Sequence, residues 1–325
     1  MTTETAVTQS RSWSWWIRRV PLSLMVVVTL LLLLLVTGTA LSDRFATSRN
    51  FFNVFQQATS LGIVSLGQTL VVLTGGIDLS VGAMISLTSN LTSGLINGEP
   101  QRVLPVVIGV IALGAAIGYI NGLLTHYLRI HPLIVTLGMA SILQGVTLLY
   151  SLAPAGKVTP EFQALAYGRV LGVSIGGLLM LGLFVLAAIF LHLTRTGNAI
   201  FAVGGDPRGA HLLGISVART LAITYSLSGA LAAFTGVYLV SRMGGGDPWR
   251  GEGFELASIT PVVVGGTILA GGRGGVLGTL LGVYLISLLN NLLNFLDVST
   301  FYQWIIQGLI IITAVAINTE RGKKT

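Results

Sequence analysis

Cysteine is absent from all 325 residues, which excludes disulfide bridges and thiolate metal sites and leaves the redox compartment open. Charge is nearly as scarce: Asp, Glu, Lys and Arg make up 9% of the chain, against roughly 25% in soluble domains. A chain so poor in charge cannot cover a surface that faces water. The four histidines, His126, His131, His192 and His211, show no ligand spacing, so no metal site is expected. No Gly-x-x-x-x-Gly-Lys-Ser/Thr segment occurs, which excludes a phosphate-binding loop of that kind. The interiors of the long uncharged runs hold no acid, as a proton relay would need. Nor do they hold the His, Cys or acid constellation of an intramembrane enzyme.

What is there is apolar. Hydrophobic residues make up 53% of the chain, a composition that belongs in lipid. A helix crosses the hydrocarbon core with about 20 apolar residues, in a range of about 17 to 25. Ten runs of that length lack Asp, Glu, Lys and Arg: 20–42, 50–77, 79–98, 103–128, 132–156, 170–194, 220–241, 256–272, 274–296 and 298–319. The expected fold is therefore all-α, a polytopic membrane protein with about ten transmembrane helices. The first run follows Arg18 and Arg19 as a signal peptide would, but it lacks a small-residue cleavage site and reads as a retained span.

Residues 1–19 read as a cytoplasmic segment whose Trp13, Trp15 and Trp16 anchor at the interface. Residues 20–319 form the transmembrane domain and 320–325 a basic cytoplasmic tail. With ten crossings and the N-terminus inside, 11 of the 18 Lys and Arg residues fall on the inner side. That bias favours both termini in the cytoplasm, and the net charge of +7 then reflects loop placement rather than nucleic-acid binding.

One motif occurs twice. LTGGIDLSVG at 73–82 returns as LAGGRGGVLG at 269–278, so that Leu73, Gly75, Gly76 and Gly82 fall on Leu269, Gly271, Gly272 and Gly278. Each copy interrupts two apolar runs, and the chain reads as two related halves built around glycine breaks. Asp78 in the first copy reads first as a helix cap, with Ser80 able to serve similarly; an ionisable group in a transport path is the alternative. Gly274 stands opposite Asp78 in the second copy, followed by Gly275, so the shape does not require an acid. Gly114, Gly118 and Gly122, and likewise Gly274, Gly278 and Gly282, form small-residue rows at spacing four that bring helix backbones together in lipid.

The inner loop 194–219 carries the most local signal. Gly197, Gly204 and Gly205 loosen it, Asp206 can cap a helix, and Pro207 suits its first turn. A short helix through Arg208, Ala210 and Leu213, ending at Gly214 before Ile215, would offer a small apolar face flanked by Arg195, Arg208 and Arg219. Docking of a cytoplasmic partner and lying on the lipid interface are equally open for it. Residues 153–169 and 242–253 read as polar outer loops: Lys157, Glu161 and Arg169 solvated, Trp249 and Arg250 as interfacial anchors or contacts for an external protein.

GGIDLSVG at 75–82, AVGGDPRGAHLLGI at 202–215 and GGTILAGGRGGVLG at 265–278 resemble the permease subunits of ribose-, galactose- and xylose-type sugar ABC importers. Asn121-Gly122 and TLGMASILQG at 136–145 fit too, and the similarity runs from about Asn53 to Ile317. Members often carry Arg where Gln144 stands. The resemblance implies a multi-pass protein of the bacterial inner membrane that pairs with a second permease copy, identical or sister. It also implies a cytoplasmic ATPase docked on 194–217, and a periplasmic or lipid-anchored sugar-binding protein at the outer face. ATP and Mg²⁺ would then reside on the partner ATPase, and this chain would bind no cofactor. Closure of the ATPase would push the helix near 207–213, with the glycine breaks as the places where packed helices shift. A neutral sugar needs hydroxyl and amide partners. Gln68, Thr74, Asn90, Asn121, Gln144, Asn290, Asn291, Asn294 and Gln307 are the pool within the spans, with tying helix to helix as their other use. An ion-coupled secondary transporter and a channel are the rival readings.

Overall fold

The computed structural model describes residues 22–322; Trp13, Trp15, Trp16 and the rest of the 1–19 segment lie outside the described residues, as do Lys323 and Lys324. Helices follow one another with short connections. They are α1 (Leu22–Leu41), α2 (Ser48–Leu73), α3 (Val81–Ile96), α4 (Val103–Tyr127, led in by a 3₁₀ turn at Pro100–Arg102) and α5 (Pro132–Tyr150). A short helix α6 (Pro160–Tyr167) and a hairpin of β1 (Arg169–Val170) and β2 (Val173–Ser174) come next. The chain continues with α7 (Ile175–Leu193), α8 (Arg195–Gly205), α9 (Pro207–Leu212), α10 (Val217–Met243), α11 (Phe254–Ala257), α12 (Ile259–Val264), α13 (Val276–Phe295) and α14 (Thr300–Gly322).

Among the described residues, six of the ten expected spans are helices long and apolar enough to cross a membrane: α1, α4 with its lead-in turn, α5, α7, α10 and α13. Three of the other four depart for physical reasons. Helix α2 is 26 residues long, but its inner two-thirds are buried by neighbouring helices, so it carries Thr59, Ser60, Ser65, Gln68 and Thr69 away from lipid. Helix α3 has 16 residues and ends at Asn97, in the left-handed conformation. Helix α14 runs over 23 residues from Thr300 to Gly322, and Thr300–Thr313 is the apolar part of it among the described residues. The run 256–272 is not a single helix: α11 stops after 4 residues and α12 after 6.

Helix α10 is the axis of the bundle and packs against α2, α3 and α4. Its seam with α4 is the glycine row read from the sequence. A Cβ at Gly114 would meet Ala233 and the Gly229 carbonyl, one at Gly118 the Tyr225 carbonyl, and one at Gly122 the Ala222 backbone. The second row is shorter than expected. Gly278 and Gly282 press α13 onto Gly265 and Pro261, while Gly274 lies outside the helix, against Thr267.

Residues 153–169 are not merely a solvated loop. Thr159 caps α6, accepting from the Phe162 N–H, and the helix is tied to α10 by Ser241, whose hydroxyl donates to Phe162 O and accepts from Ala166 N. Lys157, Glu161 and Arg169 nonetheless remain exposed.

Candidate functional site

The loop 194–219 folds as two capped helices in sequence. Thr194 accepts from Gly197 N at 3.0 Å and starts α8, and Gly197 lets that first turn press against the carbonyls of Phe190 and Leu191 at the end of α7. Asp206 ends α8 and starts α9, its Oδ1 accepting from Arg208 N at 3.0 Å. Pro207 occupies the first position, where no N–H is needed. Helix α9 closes on Gly214 at φ +82°, with Ile215 N donating to Ala210 O at 3.0 Å. Ala210 faces inward and is buried, so the apolar face expected from Ala210 and Leu213 is split. The outward part is Leu212 and Leu213, 87% and 81% exposed. A rigid turn thus presents two adjacent leucines, beside exposed Arg195, Arg208 and Arg219. None of these three is ion-paired among the described residues.

The base of this element sits on both glycine breaks. Gly75 and Gly271 take the same left-handed conformation, φ +82° and +90°, which glycine adopts without steric cost. Gly272, at φ +72°, donates its N–H to Leu73 O at 2.9 Å, linking the first break to the second. Gly204 fits into the remaining space: a Cβ there would strike Leu73 O and stand 2.6 Å from Gly272 N. A Cβ at Gly271 would stand 2.7 Å from Gly75 N and 2.8 Å from Gly204 O, and one at Gly272 would stand 2.8 Å from Gly205 Cα. Three glycine pairs far apart in the chain, 75–76, 204–205 and 271–272, therefore meet at one junction. Gly76 is held against the Tyr225 hydroxyl of α10.

Asp78 is buried, 1% exposed, and does more than cap. Its Oδ1 accepts from Ser80 N at 3.0 Å and Ser80 Oγ at 2.6 Å, which shapes the turn into α3. Its Oδ2 accepts from Ser228 Oγ of α10 at 3.0 Å. Asn121 of α4 donates to Ser80 Oγ at 3.0 Å. Gln68 of α2, with its amide turned to satisfy both partners, donates to Asp78 O at 3.1 Å and accepts from Asp78 N at 3.3 Å. One buried network thus binds the first break to α2, α3, α4 and α10.

Residues 242–253 do more than turn the chain. After Gly244 the chain runs back along α3, and three serines on that helix receive its backbone. Gly246 N donates to Ser93 Oγ (2.8 Å), Asp247 N to Ser89 Oγ (3.3 Å) and Gly251 N to Ser86 Oγ (2.9 Å). Gly251 reaches the Gly82 carbonyl at the far end of α3. Irregular backbone inside a bundle is tolerated only where protein or a water-filled cavity receives it. Here it borders a cavity of about 550 Å³ between α3, α5 and residues 249–255, lined among others by Gly82, Ser86, Ser141, Gln144, Trp249, Glu252 and Glu255. Another cavity, of about 370 Å³ between α1, α2 and α13, is lined by apolar and aromatic side chains such as Leu31, Phe51 and Leu288.

The family model for the "Branched-chain amino acid transport system / permease component" matches residues 50–315. The chain belongs to this permease family. The permease is 39% identical over 293 residues to the ribose import permease protein RbsC of Escherichia coli K12, covering 89% of this chain and 91% of the relative. It is 33% identical over 289 residues to the D-allose transport system permease protein AlsC of Escherichia coli K12, covering 87% of each. Identity to the fructose import permease protein FrcC of Rhizobium meliloti is 35% over 304 residues, covering 90% of this chain and 84% of that one. No solved structure matches the permease significantly.

Most of the amides singled out in the spans of the permease face other helices. Gln68 and Asn121 serve the Asp78 network. Asn291 and Asn50 hold α13 to α2, with Asn50 Nδ2 donating to Asn291 Oδ1 at 2.9 Å. Asn290 accepts from Gln307 at 3.2 Å and Asn294 from Gln303 at 2.7 Å, which ties α13 to α14. Thr74 turns back to Val71 O. Asn90 is fully buried in α3, and neither end of its amide has a partner among the described residues. Gln144 alone of the pool lines the larger cavity, donating from Nε2 to Pro248 O at 3.1 Å. Trp249, Glu252 and Glu255, which share that cavity, were not in the pool. The only available signal was a tryptophan and two acids beside a run too short to span comfortably.

Proposed function

We propose that the permease carries a monosaccharide into the cell as the membrane-spanning subunit of a bacterial inner-membrane ABC importer. ATP and Mg²⁺ are bound by a separate cytoplasmic ATPase, and sugar arrives from an external binding protein. The observation that carries this reading is similarity over about nine-tenths of the chain to permeases described as importing ribose, allose and fructose. In this reading both termini are cytoplasmic, the two glycine-break units are the cores of two related halves within 20–319, and the permease works as a pair. The 194–219 element is the handle on which the ATPase acts. Its support is mechanical: α9 is held at both ends, shows two bare leucines, and connects through Gly204 to both breaks. Closure of the ATPases would displace α9 and α8 together, and the glycine junction would pass that shift to α2 and to the chain entering α13.

Reconstitution tests this. Proteoliposomes holding the permease, its ATPase and the binding protein are expected to accumulate a labelled monosaccharide only with ATP. Accumulation driven by a proton gradient without ATP overturns the reading in favour of an ion-coupled transporter. Passive equilibration without ATP would make it a channel. Branched-chain amino acid uptake, suggested by the family's description, is the second reading, and leucine import in place of sugar would favour it. Replacing Leu212 and Leu213 together by alanine is expected to weaken ATPase association at least tenfold in a pull-down titration. Burying one leucine contributes about 1.5–3 kcal/mol, and about 1.4 kcal/mol is a factor of ten. Unchanged association would remove α9 as the docking element.

A further inference from the structure

We infer that the cavity between α3, α5 and residues 249–255 is a station for neutral sugar, in which Glu252 and Glu255 accept hydrogen bonds from its hydroxyls and repel anionic sugars. This rests on the reading of the chain as a monosaccharide permease and adds to it the residues and the charge selectivity.

Four observations carry it. The first is place. Gly251 contacts Gly82, 14 residues from Ile96 at the other end of α3, or about 21 Å at 1.5 Å per residue. The 249–255 segment therefore lies along the Gly82 end of α3, far from its Ile96 end, and Ser141 on the opposite wall stands at the middle of α5. The second is backbone. Helix α11 is preceded by Gly253, in the left-handed conformation at φ +86°, and α11 and α12 meet at Ser258. Membrane transport proteins build solute sites from broken helices of this kind, where freed backbone groups and side chains face the solute.

The third is chemistry. Trp249 is 53% exposed, leaving indole surface for the C–H face of a sugar ring. Gln144 offers an amide, and Ser86 and Ser141 hydroxyls. Glu255 uses Oε1 for Gly253 N at 3.2 Å, while Oε2 points across Gly82. Hydrogen bonds from hydroxyls to a carboxylate are roughly twice as strong as neutral ones, and a volume of about 550 Å³ lies within the roughly 300–1,000 Å³ of small-molecule sites.

The fourth is charge. Among the described residues, the cavity lining gives Glu252 and Glu255 no cation. The nearest in sequence, Arg250, is paired to Asp247 at 3.4 Å. Two acids and an exposed Ser141 on one face are costly against lipid, so that face belongs to an aqueous path. A phosphorylated or carboxylated sugar would meet two like charges there and no counter-ion.

The lack of native cysteine makes this testable in the intact complex. Gly145 borders the cavity, and a Cβ there meets nothing within 4 Å, so Gly145→Cys places one thiol at its edge. In permease–ATPase complexes in proteoliposomes, a cationic thiosulfonate is expected to label that thiol about tenfold faster than an anionic one, the range of field focusing in a cleft. Adding Glu252→Gln and Glu255→Gln is expected to bring the two rates within about twofold. An imported neutral monosaccharide should slow labelling in the single-cysteine protein, and its phosphate ester should not. Co-purification with the ATPase identifies variants that have folded. If the complex imports sugar but sugar gives no protection, or the glutamine variants leave the reagent preference unchanged, the station is wrong and the permease reading stands. If the wild-type complex imports no monosaccharide, the sugar reading fails and the station with it.

Discussion

Gly204→Val is expected to abolish ATP-driven uptake and to lower the yield of folded protein sharply, whereas Gly205→Ala leaves both within about twofold. At Gly204 a side chain would strike the Leu73 carbonyl and crowd Gly272 N. It would separate the two groups that now share a 2.9 Å hydrogen bond. Backbone cannot step aside as a flexible side chain can. Overpacking costs about 1–3 kcal/mol, and the lost buried bond adds about 1 kcal/mol or more. At Gly205, one residue on, a Cβ meets nothing within 4 Å, and φ is not in the left-handed region. Alanine there belongs with open-surface changes of about 0.5 kcal/mol or less. Size-exclusion yield, thermal unfolding in detergent and sugar uptake read the difference. A Gly204→Val protein that melts and transports like wild type would show that the junction is not a tight joint.

The second large effect is at Asp78. Alanine there strips three donors at once: the Ser80 amide, the Ser80 hydroxyl and the Ser228 hydroxyl. A buried donor left without a partner costs about 1–3 kcal/mol, so Asp78→Ala is expected to destabilise by about 3–5 kcal/mol and to reduce uptake more than tenfold. Asn keeps one oxygen for Ser80, and its amide can donate to Ser228 once that hydroxyl turns to accept. Asp78→Asn is therefore expected to retain most of the folded yield and of the transport. This ordering separates a structural carboxylate from a transport group. Full folding of Asp78→Asn with uptake lost would assign the charge itself to transport.

Several features were legible because their causes are local. Asp206-Pro207 and Gly214 bracket a helix by capping, a fixed φ and a left-handed residue, all determined within a few positions, and α9 follows from them to within one residue. The small-residue row 114–118–122 has helical spacing, so its use as a packing seam needs no knowledge of the partner. The span 256–272 was misread for the same reason that composition works elsewhere. Hydropathy counts apolar side chains, and the segment from Phe254 to Val264 is apolar on average despite Glu255, although it forms two short helices. Their non-helical lead-in is stable because Ser86, Ser89 and Ser93, over 150 residues earlier, accept its N–H groups. No window on the sequence contains both partners.

The in-span amides show the same division. Gln144 and Asn291 each read as a polar residue in an apolar run. One borders a cavity and the other is bonded to Asn50, 241 residues away. By itself the sequence determined the membrane class, the places where helices must break, and the capped element between α7 and α10. Solvent preference and backbone stereochemistry act residue by residue, so a linear reading captures them. Only the tertiary structure decided that the three glycine pairs share one junction, that Asp78 joins four helices, and that Trp249, Glu252 and Glu255 face a common cavity. Each of those depends on close approach between segments distant in the chain, where hydrogen-bond reach and excluded volume take effect only after the helices have packed.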